Sequence, residues 1–300
     1  MADCGLVAAG CTLVGALEYD PAIAAIYRRN HGDHVRVGDV RAQDWTTWPD
    51  CDYLHASPPC PNYSVAKSAR GETADDLAVA DAVCGAITAL RPRLFTLENV
   101  RAYQQSDSLR RIVATLEALD YAVEQRVVNA ADYGVPQTRA RLIVVARAGG
   151  WMQPALAWPA PVAWRGWYAA IADLVADLPD ATLAPWIMNR LPAPLREAVS
   201  HIGSNTRVVL IDGKLNNYST TITLRPGNAP ASSILSSPQS MRDARAIIAD
   251  RIVRPTPRWV ARLQTMPDSY ELPDCIPLAV KIIGNGYPSI LAQKIVEMAR

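Results

Sequence analysis

One cysteine, one glutamate and two arginines stand where they could act together. Cys60 follows an apolar run and the pair Pro58-Pro59, and two prolines hold the backbone extended, so the thiol projects from a strand end. A thiolate fixed there is a nucleophile; the alternative is one more inert buried cysteine. Glu98 follows the apolar run Leu94-Phe-Thr-Leu97, where a carboxylate is costly without a partner. It could give or take a proton, or pair structurally with an arginine. Arg139 and Arg141 alternate in a loop that enters a strand, so they face the same way and could brace an electron-rich ring, an anion or Glu98. A solvated or phosphate-contacting pair is the other reading.

A second group of residues suits a nucleoside. Glu18 closes the run Thr12 to Leu17, and a carboxylate there can bind both hydroxyls of a ribose. Tyr19 could stack on an adenine, and Asp39, at the end of the next run, could accept from its exocyclic amine. Each could equally be a cap or a solvated turn residue. His55 is followed by Ala56-Ser57, and Cys60 by Pro61-Asn62-Tyr63, so the H-x-E and P-C-x-x-C signature of a zinc deaminase is missing. No Walker or G-x-G-x-x-G loop occurs, which leaves phosphoryl transfer without support.

These residues fall at the carboxyl ends of successive strands, where open α/β sheets gather function. The runs Thr12 to Glu18, Val35 to Val37, Tyr53 to Ser57, Leu94 to Val100, Tyr121 to Asn129 and Leu142 to Ala146 alternate with helical patterns. That order predicts a doubly wound, mostly parallel α/β sheet. Helices are expected from Asp20-Pro21 through Arg29, over Ala74 to Leu90 and over Ser108 to Leu119, the first with a good cap and proline in its first turn. Past Gly149-Gly150 tryptophan and proline crowd Trp151 to Trp186, and Leu210 to Lys214 looks like a hairpin. The expected organisation is a catalytic domain over 1–149, a small domain over 150–225, and a return segment over 226–300. Helical patterning at Thr256 to Gln264 and from Ser289 onward suits a return onto the first domain.

The 300 residues are 50% hydrophobic, with 30 basic and 29 acidic side chains. That is chain enough for a large core and excludes a disulfide-stapled miniprotein. With a net charge of +1, a polyelectrolyte would have to be met by one basic face. No basic leader or membrane-length apolar stretch is present, so a cytoplasmic, soluble protein is expected. Six scattered cysteines without a Cys/His cluster suggest neither disulfides nor a metal site.

Taken together, Pro58-Pro59-Cys60-Pro61-Asn62-Tyr63-Ser64, Glu98-Asn99-Val100, Gln137-Thr138-Arg139-Ala140-Arg141 and Gly284-Asn285-Gly286-Tyr287-Pro288 resemble, in order, the motifs of the DNA cytosine-5 methyltransferase family. The resemblance is dense over the first 147 residues and resumes near Arg225. It implies a Rossmann-like fold that uses S-adenosylmethionine, with a smaller recognition domain. Cys60 would attack C6 of a flipped-out cytosine in double-stranded DNA, Glu98 would donate to N3, and Arg141, supported by Arg139, would hold Glu98 and the ring oxygen. Glu18, Tyr19, Asp39, Val40, Pro59 and Asn285 would line the cofactor site. Arg165, Arg190 and Arg207 are candidates for reading bases in the major groove. The setting implied is a restriction-modification system or a phage. A catalytically silent DNA-binding homologue, one subunit of a split enzyme, and an RNA cytosine-5 methyltransferase are the alternatives.

Three departures stand out. Pro61 and Tyr63 replace the usual Gln and Phe, and the last motif reads Gly-Asn-Gly-Tyr-Pro-Ser in place of Gly-Asn-Ala-Val-Pro-Pro. Residues 2–9 match only the stretch that comes after the family's glycine-rich Phe-x-Gly-x-Gly-Gly segment. The expectation is a sheet without its central first strand, exposing pairing groups on both neighbours, with weakened cofactor binding and stability and a role for a partner chain that supplies the strand.

Overall fold

The computed structural model describes residues 1–59, 71–183, 185–189, 208–213, 222–237, 244–249 and 251–300, with 191, 193, 196 and 241 singly. Two compact units divide the chain. The first comprises Gly5–Asn129, Ala140–Ala160 and Ala292–Arg300; the second comprises Met1–Cys4, Ala130–Arg139 and Pro161–Leu291. The N-terminal helix α1 spans Ala2–Ala8.

In the first unit, β1 (Ala16–Glu18), α2 (Pro21–His31) and β2 (Val35–Val37) form a parallel crossover. Asp20 caps α2 by accepting from the Ala22 N–H at 2.9 Å, and Pro21 opens it. A second crossover runs through β3 (Tyr53–Ala56), α3 (Ala74–Leu90) and β4 (Leu94–Val100). Thr73 and Asp76 cap α3 reciprocally, which satisfies two otherwise orphaned backbone donors. The chain continues through α4 (Asp107–Ala118), β5 (Tyr121–Asn129) and β6 (Ala140–Ala148), and β6 inserts antiparallel between β4 and β5.

The resulting sheet has the order β3-β4-β6-β5, while β1 and β2 make a separate two-stranded sheet. The architecture is the expected Rossmann-like α/β class, with an antiparallel finish. One face of the larger sheet, including Phe95, Leu97, Leu142, Val144 and Ala146, packs on Val83 and Ile87 of α3 and on Leu109, Ile112 and Leu116 of α4. Those α4 positions recur at helical spacing, so a single stripe meets the sheet. The opposite face carries Tyr53, His55, Thr96, Glu98 and Arg141 by strand alternation and register.

The expected strand from Thr12 shortens to three residues, because β2 offers only Val35–Val37 as partners and a strand lasts only as long as its backbone groups are taken. The last strand instead lengthens to Ala140–Ala148, since β5 pairs with it along its whole length.

In the second unit, β7 (Val208–Gly213), β8 (Ile222–Pro226), β9 (Arg245–Ile248) and β10 (Arg251–Val253) form an antiparallel sheet in the order β10-β9-β7-β8. Leu210–Gly213, expected as a turn-bounded hairpin, lies within β7, which pairs antiparallel with β8. Its helices are α5 (Pro185–Met188), α6 (Pro257–Leu263) and α7 (Ile276–Asn285), and α8 (Ser289–Ala299) closes the chain. Part of the tryptophan crowding is core: Trp167 and Trp259 are fully buried and stack with centroids 5.5 Å apart at 9°. No helix among the described residues is long and apolar enough to cross a membrane.

Candidate active site

β4 carries Glu98 into the interior with its side chain 7% exposed, and Arg141 of β6 places Nε 2.6 Å from Glu98 Oε1. The pair arises from register: Arg141 sits opposite Val100, two residues beyond Glu98 on the same face. A buried carboxylate held this way stays oriented, and loss of the cation would leave it uncompensated. The other oxygen, Oε2, faces the Ser57 hydroxyl at 3.5 Å. Next along β4, buried Asn99 donates from Nδ2 to the Pro58 carbonyl at 3.1 Å, tying the segment that leads into Cys60 to the strand that carries Glu98. Cys60 itself lies outside the described residues. Among the other thiols, burial pushes Cys4, Cys51 and Cys84 upward in pKa, against the depression that activates a nucleophilic cysteine.

At the ends of β1 and β2 the nucleoside candidates take up turn contacts. Glu18 Oε1 accepts from the Asp20 N–H at 2.8 Å, and Tyr19 is 73% exposed beside it. Asp39 caps the short turn Val40–Ala42 through the Arg41 N–H at 2.9 Å. The Arg41 guanidinium also bonds Asp39 and lowers its pKa to about 2. Pro59 is exposed at the limit of the described segment.

In the second unit, Arg139 is 2% exposed and donates to the carbonyls of Ile234 at 2.7 Å, Gly284 at 2.7 Å and Gly286 at 3.1 Å. It and Arg141, two residues apart, therefore serve different partners. Gln137 is fully buried; its Nε2 donates to the Leu263 carbonyl and to Gln264 Oε1, both at 2.8 Å, while its Oε1 accepts from Ile234 N–H at 3.0 Å. Gln264 continues the network to the Ile283 carbonyl at 2.8 Å. Gly284 must be glycine, because a Cβ there would lie 2.3 Å from the Ser236 nitrogen. Asn285 ends α7 and is exposed. Arg165 is exposed, and Arg190 and Arg207 lie outside the described residues.

Gln264 was legible only within Ala261-Arg262-Leu263-Gln264, a stretch that fits a family segment, and its part in this network follows from tertiary packing. Gln137 had a signal, its place in Gln-Thr-Arg, but burial among carbonyls follows only from tertiary packing. Among the described residues no group of His, Cys, Asp or Glu could hold a metal ion.

The model of the C-5 cytosine-specific DNA methylase family matches residues 2–299. The Type II methyltransferase M.AplI of Arthrospira platensis is 31% identical over 303 residues, spanning 99% of this chain and 81% of the relative. M.HhaI of Haemophilus parahaemolyticus, also a Type II methyltransferase, is 24% identical over 284 residues, 93% and 85% of the two chains. The crystal structure of the S. pombe Dnmt2 methyltransferase superposes with a TM-score of 0.63 at 15% identity, covering 99% of this chain and 94% of that one, which speaks to fold alone. With a family match over almost its whole length and the buried Glu98–Arg141 pair at the expected strand ends, the chain belongs to the C-5 cytosine-specific DNA methylase family.

Proposed function

We propose that the chain methylates C5 of cytosine in double-stranded DNA, with S-adenosylmethionine as donor and Cys60 as the covalent nucleophile. The observation that carries this reading is the buried Glu98–Arg141 pair, whose Glu98 lies on β4 beside the strand that leads into Cys60. Cytosine C5 is a poor nucleophile until C6 bears an electron-rich substituent. The Cys60 thiolate adds to C6 as Glu98 gives its proton to N3, and the electron pair moves to C5 as an enamine. Arg141 holds Glu98 and faces the ring oxygen. After methylation, the C5 proton leaves to solvent and the thiolate is expelled, restoring the ring. Arg139, tied to three carbonyls, is a positioning residue that holds its own segment in the second unit. The base must leave the duplex stack to meet Cys60.

The residues at the ends of β1 and β2 fit the cofactor. Glu18 has used one carboxylate oxygen on its own turn and keeps the other for ribose hydroxyls, Tyr19 offers an exposed ring for the adenine, and Asp39, ionised beside Arg41, can accept from an amine. Val40, Pro59 and Asn285 complete the proposed set. Bound S-adenosylmethionine supplies an electrophilic methyl group. Residues 150–225 are proposed to read the bases, with Arg165, Arg190 and Arg207 as contacts, in the Type II setting of the relatives.

The direct test is transfer of tritiated methyl groups to mixed-sequence duplex DNA, with 5-methylcytosine identified in the digest and a Cys60→Ser control. Label in DNA that the control loses supports the reading. Label only in a transfer-RNA transcript would move the substrate to RNA, and no label in either would overturn the reading for this chain.

The split sheet favours a second reading. Neither β1 nor β3 has a ladder partner on its other side among the described residues, and both are half-exposed, unlike β4. A parallel strand supplied by another segment or a partner chain would join the two sheets. Calorimetry decides: this reading expects tight S-adenosylmethionine binding only when a strand that pairs with β1 and β3 is supplied, and equal binding without it would contradict the reading.

A further inference from the structure

Behind Glu98 runs a line of side chains that the mechanism above does not use. Tyr53 Oη lies 2.5 Å from Thr96 Oγ1, which lies 2.8 Å from His55 Nδ1. His55 Nε2 is 3.0 Å from Ser57 Oγ, and Ser57 Oγ is 3.5 Å from Glu98 Oε2. The line exists because Tyr53 and His55 alternate along β3 onto one face, in register with Leu94 and Thr96 of β4, and Ser57 follows just past the end of β3 within reach of Glu98. Thr96 is 2% exposed, so its hydroxyl must be satisfied within the protein.

The donors order themselves. Ser57 donates to the Glu98 carboxylate, so its oxygen is left to accept from His55 Nε2–H. Nδ1 of that tautomer is an acceptor, which takes the Thr96 hydroxyl proton and leaves Thr96 to accept from Tyr53. On the far side Arg141 Nε forms an ion pair with Oε1 at 2.6 Å, and Oε2 is the oxygen at which the line ends.

We infer that His55 is a positioning residue for methyl transfer: through Ser57 it stabilises the carboxylate left on Glu98 Oε2 when the proton passes to cytosine N3. This rests on the function proposed above and deepens it. The proton balance is closed: Oε2–H is lost to N3, and the Ser57 hydroxyl turns to donate to the vacated oxygen, backed by His55 Nε2–H. The titratable and charged side chains on this face are Tyr53 of β3, Glu98 of β4, Arg141 and Arg147 of β6, and Glu124 and Arg126 of β5. The β5 pair is turned to Trp158: Glu124 accepts from its Nε1 at 3.2 Å and Arg126 stacks 4.7 Å over its ring.

The test compares His55→Phe, His55→Gln and Ser57→Ala with the parent chain in single-turnover methylation. A contact made mainly in the transition state lowers kcat and kcat/KM together. His55→Phe and Ser57→Ala should each slow transfer about tenfold, in keeping with loss of one charge-assisted hydrogen bond, with KM for DNA within about twofold. His55→Gln, which still donates and accepts, should restore most of the rate lost in His55→Phe. An active parent whose variants keep its rates overturns the inference while leaving the proposed function standing. An inactive parent sinks the function instead, and then imidazole 15N NMR decides. The Nε2–H tautomer for His55, with a titration midpoint lowered in Glu98→Gln, supports the network; the Nδ1–H tautomer with no response refutes it.

Discussion

The two sheets of the first unit are built from the same βαβ crossover and differ in depth. β4 is buried over Leu94–Asn99, with β3 on one side and β6 on the other and two helices beneath. β1 and β2 are three residues each, exchange hydrogen bonds only with one another, and leave Val37 47% exposed. The residues proposed to act on the base stand on the deep sheet, and those proposed to hold the nucleoside stand on the shallow one. An acid that must meet a flipped base within tenths of an ångström gains from a strand that cannot move. A nucleoside site on a two-stranded ribbon borrows order from its ligand or from a further strand.

The largest test of this contrast is Phe95→Ala. Fully buried between α3, α4 and the sheet, this ring should cost about 3–5 kcal/mol on truncation, read as a lower urea midpoint at unchanged slope. A loss no larger than that of a surface change would mean that the deep sheet is not the stable platform. Next in size, Arg141→Ala strands the Glu98 carboxylate in the interior and should destabilise by about 3 kcal/mol. Adding Glu98→Gln should recover most of that loss, and a strictly additive double variant would argue that the pair is not coupled.

Hydrogen exchange sharpens the comparison without mutation. Amides of β4 and β6 should exchange only through near-global opening, and those of β1 and β2 far sooner by local opening. Equal protection would remove the contrast, whereas protection of β1 gained on adding S-adenosylmethionine would show the ligand supplying the missing order. At the small end, Val37→Ala should change stability by under about 0.5 kcal/mol. The acid limb adds a sign. Arg41 holds Asp39 at about 2, so its contribution is present above the ordinary carboxylate range and is lost as pH falls through about 2. Asp39→Asn should flatten that part of the urea-midpoint curve, and an unchanged curve would show the contact is absent in solution.

Legibility in the sequence divides along the same line. The run Leu94–Val100 appears in the structure with those ends, because a strand buried on both faces opens on an apolar stretch, here Leu94-Phe95, that marks it. Helix α3 is equally legible, with the expected ends Ala74 and Leu90. The strand expected from Thr12 is longer than the one the structure holds, since a run of apolar residues does not tell how long its neighbour is. Among the site residues, Glu98 was visible as a charge in an apolar run, and its arginine was visible as one of two. The residues alone left either open and the family resemblance named Arg141; the two differ in where tertiary packing sends them. His55 reads as an ordinary strand residue, and its link to Glu98 depends on parallel register with Thr96.

The measurement closest to the central claim is covalent trapping. Duplex DNA carrying 5-fluorocytosine blocks the final elimination, so incubation with S-adenosylmethionine should leave a protein–DNA band stable to denaturation, absent in Cys60→Ser and much reduced in Glu98→Gln. A band that persists in Cys60→Ser, or none in the parent chain under conditions where it binds both S-adenosylmethionine and DNA, would contradict the account.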